Sequence, residues 1–187
     1  MKSSLFNEDP NNAARPDIPA GGPIGEFMAS EHALLDTLLA RAARGSVEAY
    51  REFRQRLLRH IRIEERLLLP MAEQKRSGEP LPLAARLRLD HGALAALMML
   101  PPTRGTFRTV SAVLKAHNPL EETSGGVYDQ CEALAGPDAS ELLLQCEKTP
   151  PAPVSPWIDD PKVFEAARRA LIRAGYAVSL LDEGEVE

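Results

Sequence analysis

Apolar residues recur three and four apart through four long stretches of this 187-residue chain, with polar residues between them. That spacing gathers them on one face of an α-helix. The first stretch predicts a helix over about residues 24–44, where Met28, Leu35, Leu39 and Ala42 share a face and Gly45 suits the end. The second predicts one over about 46–76, with Ser46 as N-cap and a stripe of Phe53, Leu57, Leu67 and Met71. The third, about 82–100, carries Leu83, Leu87, Leu94 and Met98 and stops at Pro101-Pro102. The fourth, about 106–134, carries Phe107, Val110 and Leu114, then Tyr128 and Cys131, and ends at Gly136-Pro137. Long amphipathic helices with short connections predict an all-α fold, an antiparallel up-down-up-down four-helix bundle over residues 24–135.

The flanks have no such period. Residues 1–23 are rich in Pro, Asn, Asp and Gly and read as a flexible N-terminal arm. Residues 136–187 read as a small C-terminal helical extension. Asp138 and Glu141 form a capping-box-like pair that opens a short helix to about Cys146. KTPPAPVSP is a Pro-rich linker. Asp160-Pro161 opens an amphipathic helix with Phe164, Ala167 and Leu171 on one face, ending near Gly175 before a loose acidic tail.

The four stripes are not wholly apolar. His32, His60, His91 and His117 each fall in phase with one of them, and Glu64 and Glu121 follow His60 and His117 by four residues. About three in seven helix positions face a core, so four histidines all landing inward is a chance of only a few per cent. Histidine and glutamate are poor core residues unless something offsets their desolvation. Residues i and i+4 are neighbours on one face, about 5–6 Å apart between Cβ atoms. Four imidazoles and two carboxylates converging in one bundle point to a metal centre of two iron ions, two histidines to each, with both carboxylates free to bridge. Zinc or manganese would also suit these donors. Positions would remain for water, oxo or a small diatomic ligand.

Neighbouring residues are less telling. Glu65 and Glu122 either face outward or support the ligands. Glu31 and Asp90, just before histidines, read as solvated helix face. Tyr128 reads as a core tyrosine with one hydrogen bond, and Cys131 as a buried apolar residue. Pro119, between His117 and Glu121, removes a helix donor; a simple kink and a loosening beside the metals are equally open.

Composition narrows the picture further. With 44% apolar and only 5% aromatic residues, the chain suits one helical core. A net charge of −5 and no basic patch interleaved with aromatics argue against nucleic acid. No run of 18 apolar residues exists to span a membrane, and the N-terminus lacks the apolar core of a signal peptide, so a cytoplasmic location is expected. Cys131 and Cys146 lie in no CxxC or CxxCH pattern, which suggests reduced thiols and no c-type haem.

The segments EHALLDTLL, HIRIEERLLLPM, DHGALAALM and HNPLEETSGGVYDQCE resemble the four helices of the hemerythrin-like HHE cation-binding family, over about residues 24–135. The resemblance implies a non-haem di-iron centre held by His32, His60, Glu64, His91, His117 and Glu121, with the two glutamates as bridges. Two departures matter. Oxygen-carrying hemerythrins place a fifth histidine four residues after the third-helix one, where this chain has Ala95. They also use an aspartate five residues after the fourth-helix histidine, where this chain has Glu121 at four. Both argue against plain oxygen transport. The expectation is a binding or sensing protein that handles O2, NO or peroxide in stress or iron handling, with the C-terminal helix as a surface for a protein partner. A di-iron oxidase or peroxidase, and an interaction protein with a structural metal, are the alternatives.

Overall fold

A computed structural model describes residues 22–182, and every regular element among them is helical. The arm expected over residues 1–23 lies outside the described residues except for its last two, and the acidic tail lies outside them beyond Asp182. Helix α1 (Pro23–Ala43) opens on a proline, whose missing N–H is no loss in a first turn. Helix α2 (Val47–Ile63) starts at Ser46, whose hydroxyl accepts the Ala49 N–H at 3.2 Å, as the sequence predicts.

The second predicted helix does not run unbroken. A π-helical turn, Glu64–Leu68, separates α2 from α3 (Leu69–Lys75). Pro70 has no amide to give, and the Leu69 N–H bonds the Glu64 carbonyl five residues back. The extra residue in that turn rotates everything after it. Leu68, Leu69 and Ala72 become the buried residues, while Leu67 and Met71, expected in the stripe, are half-buried.

The third helix is shorter than its stripe suggests: α4 spans Ala84–Leu97, and Leu83 is its half-buried N-cap. The fourth is two helices. Helix α5 (Arg104–Glu122), capped by Thr103, runs through Pro119 and ends three residues later, before α6 (Val127–Ala135). Thr123 is extended at ψ 153° and Gly125 is left-handed at φ 76°, which turns the chain between them. Gly126 then passes so close that a Cβ there would stand 2.6 Å from the Glu121 carbonyl oxygen.

Helix α7 (Ala139–Lys148) follows a single 3₁₀ turn, and its capping box does not form: the Asp138 carboxylate pairs with Lys75 at 2.7 Å instead. The Pro-rich linker is tied to the bundle by a buried arginine, Arg54, which donates to Met98 O at 2.7 Å and Ser155 O at 2.9 Å. Helix α8 (Pro161–Arg173) is capped by Asp160 as expected and packs Ala167 and Leu171 into the core beside α4. A short α9 (Ser179–Asp182) closes the described residues.

The apolar core is in two pieces. One holds Leu35, Leu38, Tyr50, Phe53, Leu57, Leu94, Leu97 and Val110. The other holds Ile24, Met28, Ile63, Leu68, Leu87, Val127 and Tyr128. On every bundle helix a histidine lies in sequence between residues of the two pieces, so a buried polar layer divides them. Cys131 and Cys146 are free and buried. No helix among the described residues is long and apolar enough to cross a membrane.

Candidate metal centre

The six residues predicted to converge do so. His32 comes from α1, His60 from the last turn of α2, Glu64 from the π turn, His91 from α4, and His117 with Glu121 from α5. None is more than 4% exposed. Their donor atoms form two groups. In one, His32 Nε2 stands 2.8 Å from His60 Nε2 and 3.5 Å from Glu121 Oε2, and His60 Nε2 is 3.3 Å from Glu64 Oε1. In the other, His91 Nε2 is 3.1 Å from Glu64 Oε2 and 3.9 Å from Glu121 Oε1, and His117 Nε2 is 3.1 Å from Glu121 Oε1. Each carboxylate therefore turns one oxygen to each histidine pair.

Three of the four imidazoles also have a carboxylate at their outer nitrogen, the arrangement that fixes tautomer and ring orientation at metal sites. His32 Nδ1 bonds Glu122, His91 Nδ1 bonds Glu65 at 2.7 Å, and His117 Nδ1 approaches Asp90 Oδ2 at 3.4 Å. Glu65 and Glu122 thus support imidazoles, and the doubled glutamate in HIRIEE and HNPLEE is the sequence signal for it. Asp90 is fully buried, not solvated, and it serves His117 rather than the adjacent His91. Arg86 holds it from one turn earlier, with Nε 3.1 Å from Oδ2 and Nη2 3.0 Å from Oδ1. Glu31 is also buried, but it pairs with Arg59 at 2.5 Å rather than with His32. Tyr128 makes more than the single bond expected of it: its hydroxyl lies 2.7 Å from Glu64 Oε1 and 3.0 Å from Glu121 Oε2.

The donor set fits a cation. Glu64 Oε2, His91 Nε2 and Glu121 Oε1 are buried without a hydrogen-bond partner, and all three belong to the second group. An unsatisfied buried polar atom costs about 1–3 kcal/mol. Imidazole nitrogens and carboxylate oxygens are donors that first-row divalent metals accept. Both groups bring at least three such atoms within 4.8 Å of one another.

The buried charges of the cluster raise the proton affinity of its imidazoles. Burial lowers His91, but Glu121, Glu64 and Glu65 outweigh it and push the imidazole up to about 12. His117 goes up to about 9, with burial again outweighed, here by Asp90 and Glu121. His32 is raised against its burial by Glu122, Glu121 and Glu64. Burial acts to raise Glu64, yet His60 and His91 hold it well below the usual carboxylate range. Burial and the charges of Glu121 and Glu64 push the Tyr128 phenol well up. Metal binding here must therefore displace protons.

A surface groove of about 1020 Å³ is lined by Asp36, Leu39, Ala43, Arg104 and Phe107, none of them a donor of the cluster. Among known proteins, no curated protein and no solved structure matches this chain. The family model described as hemerythrin HHE cation binding domain matches residues 24–124, more than half of the 187. That span contains all six cluster residues and stops short of Tyr128.

Proposed function

Because this chain belongs to the hemerythrin HHE cation-binding family, we propose that it holds two iron ions and uses them to bind O2, NO or peroxide as a sensor or a stress- or iron-handling protein. The observation that carries the reading is the orientation of Glu64 and Glu121, each with one oxygen toward His32 and His60 and the other toward His91 and His117. A carboxylate so placed suits two cations better than one. His32, His60, Glu64, His91, His117 and Glu121 are the ligands in this reading, with both glutamates as bridges. Such an ion pair supplies one-electron redox steps and open coordination positions. The chain's own residues supply the rest. Glu122, Glu65 and Asp90 hold three imidazoles in place, and two apolar core pieces above and below keep water away. The near-complete burial favours a ligand of two or three atoms over an organic substrate, which ranks binding above oxidase chemistry.

The same reading takes residues 24–135 as an up-down-up-down bundle. Supporting it, one core piece draws on late residues of α1 and α4 but early residues of α2 and α5. The C-terminal segment is the candidate relay to a protein partner: Arg86, which holds Asp90, also donates to Ala174 O at 2.9 Å and to the Tyr176 hydroxyl at 3.0 Å.

The test is metal content and visible absorption of aerobically purified protein, before and after dithionite and again in air. Two irons per chain, with ferric bands that bleach and return, support the reading, and Glu121→Ala should abolish them. One zinc per chain and no colour would replace it with a structural metal.

A further inference from the structure

We propose that Tyr128 is a seventh metal ligand, its phenolate oxygen bound to the ion that His32 and His60 hold, an inference that rests on the two-ion reading. The Tyr128 oxygen is fully buried and ringed by donor atoms of the cluster alone. It lies 2.7 Å from Glu64 Oε1, 3.0 Å from Glu121 Oε2, 3.3 Å from His60 Nε2 and 3.4 Å from His32 Nε2. A phenol has one hydrogen, which cannot serve two carboxylate oxygens at once. Five donor atoms drawn this close together, with few protons to share among them, suit a positive centre in their midst.

The distances agree with a shared ion. Donors about 2.0–2.2 Å from one cation, at angles between those of an octahedron and a tetrahedron, stand about 2.8–3.6 Å apart. The four contacts of the Tyr128 oxygen fall in or within 0.1 Å of that range, as do His32 to His60 at 2.8 Å, His32 to Glu121 at 3.5 Å and His60 to Glu64 at 3.3 Å. Five donors therefore close on the His32–His60 side: two imidazoles, one oxygen from each glutamate, and the phenol. The His91–His117 side has four, since no further side chain offers an oxygen or nitrogen to it at such distances among the contacts of the described residues. The asymmetry would leave the ion beside His91 and His117 the more open of the two, and the better placed to take O2, NO or peroxide. Ligation exchanges the O–H bond of Tyr128 for an oxygen–metal bond and releases one proton to solvent, with no electron transferred.

The chain has three tyrosines, and the other two are engaged elsewhere: Tyr50 donates to Leu100 O at 2.8 Å, and Tyr176 lies against Arg86. A phenolate signal in the full-length protein therefore reports on Tyr128. The experiment is resonance Raman and visible absorption of full chain loaded with ferric iron, with iron counted in each sample. It compares wild type, wild type grown on ring-deuterated tyrosine, and Tyr128→Phe. The expected result is a phenolate-to-iron charge-transfer band whose ring modes shift on deuteration and vanish in Tyr128→Phe, while Tyr50→Phe keeps them. Two irons per chain without phenolate modes in wild type would overturn the proposal and leave the two-ion reading standing. So would modes that persist in Tyr128→Phe. A wild-type chain that takes up no iron would overturn both. The deuterated wild type decides the matter even where Tyr128→Phe fails to fold.

Discussion

Replacing Arg59 by methionine should destabilise the metal-free protein by about 4 kcal/mol. Arg59 is 8% exposed and donates to Glu31 Oε2 at 2.5 Å, Thr149 O at 2.6 Å, and Cys146 O and Glu147 O at 3.1 Å each. It thus neutralises a buried carboxylate on α1 and closes the C-terminal end of α7, where a cation also meets the negative end of the helix dipole. Breaking a buried pair from one side costs about 3–5 kcal/mol. Glu31 has little to fall back on, since Arg56 Nη1 stands at 4.0 Å. The three carbonyls add less than their nominal bonds, because the end of α7 can turn to water once released. Methionine keeps the stem against Phe27, over whose ring the guanidinium lies at 5.8 Å, so little packing is lost. Urea unfolding in chelator measures the change: with a slope of about 2 kcal/mol per molar, the midpoint should fall by about 2 M. The double variant Arg59→Met/Glu31→Leu should recover about half, because it removes both charges. A single-variant loss under about 0.5 kcal/mol, or strictly additive losses in the double variant, would refute the reasoning.

Three further outcomes are expected. In chelator, stability should fall as pH rises from about 6.5 to 9: the folded His117 stands at about 9 and His91 at about 12, above the unfolded value of about 6.5. A raised histidine contributes fully below its unfolded value and loses that contribution on the way up through its folded one. His117 alone accounts for about 3 kcal/mol. Metal-loaded protein should be flat over the same window, and a chelated protein whose melting temperature rises from pH 6.5 to 9 would contradict the assignment. Arg86→Met leaves the fully buried Asp90 without its cation and should weaken metal retention about 10–100-fold in chelator competition; unchanged retention would show that Asp90 does not position His117. Gly126→Ala drives a Cβ into the backbone at Glu121 and should lower both melting temperature and the number of ions retained, where an unchanged ion count would mean the Glu121 backbone can yield.

The metal cluster was legible because helical phase is a local property. Each histidine could be set against the leucines of its own stripe, with no knowledge of which helices touch. Residues whose role depends on another helix were not legible. Asp90 sits next to His91 in sequence yet supports His117, and its burial depends on Arg86 and on the chain near Tyr176. Glu31 looked solvated because Arg59, its partner, lies on a different helix. The π turn erred in a subtler way. Pro70 is a local signal for a missing donor, but a proline in a helix can be absorbed by a kink or by an extra residue, and only packing chooses. Here the extra residue buries Leu68 and Ala72 in place of Leu67 and Met71, which shifts the buried stripe of the second half by one position.

The two irregularities of the bundle fall at the two glutamates, and this bears on how the site can respond. Glu64 is the first residue of the π turn, and its carbonyl accepts the wide bond from Leu69. Glu121 lies two residues after Pro119 and two before the turn at Thr123, with its carbonyl oxygen in the path of Gly126. The histidines, by contrast, stand in regular α-helix on all four elements. A regular helix is held by a repeating ladder of bonds, whereas a π turn or a helix end has bonds that can be exchanged at small cost. If both glutamates bridge, a change in what the ions bind alters the pull on Glu64 and Glu121 first. That pull would be met by backbone able to adjust, while Glu122, Glu65 and Asp90 hold three of the four imidazoles. An adjustment at Glu121 would lead through the break to α6 and Tyr128, and a shift of His117 would lead through Asp90 and Arg86 to the chain after α8. In that reading one route reaches α6 and the other the C-terminal segment, and both lie beyond the residues that the family match covers.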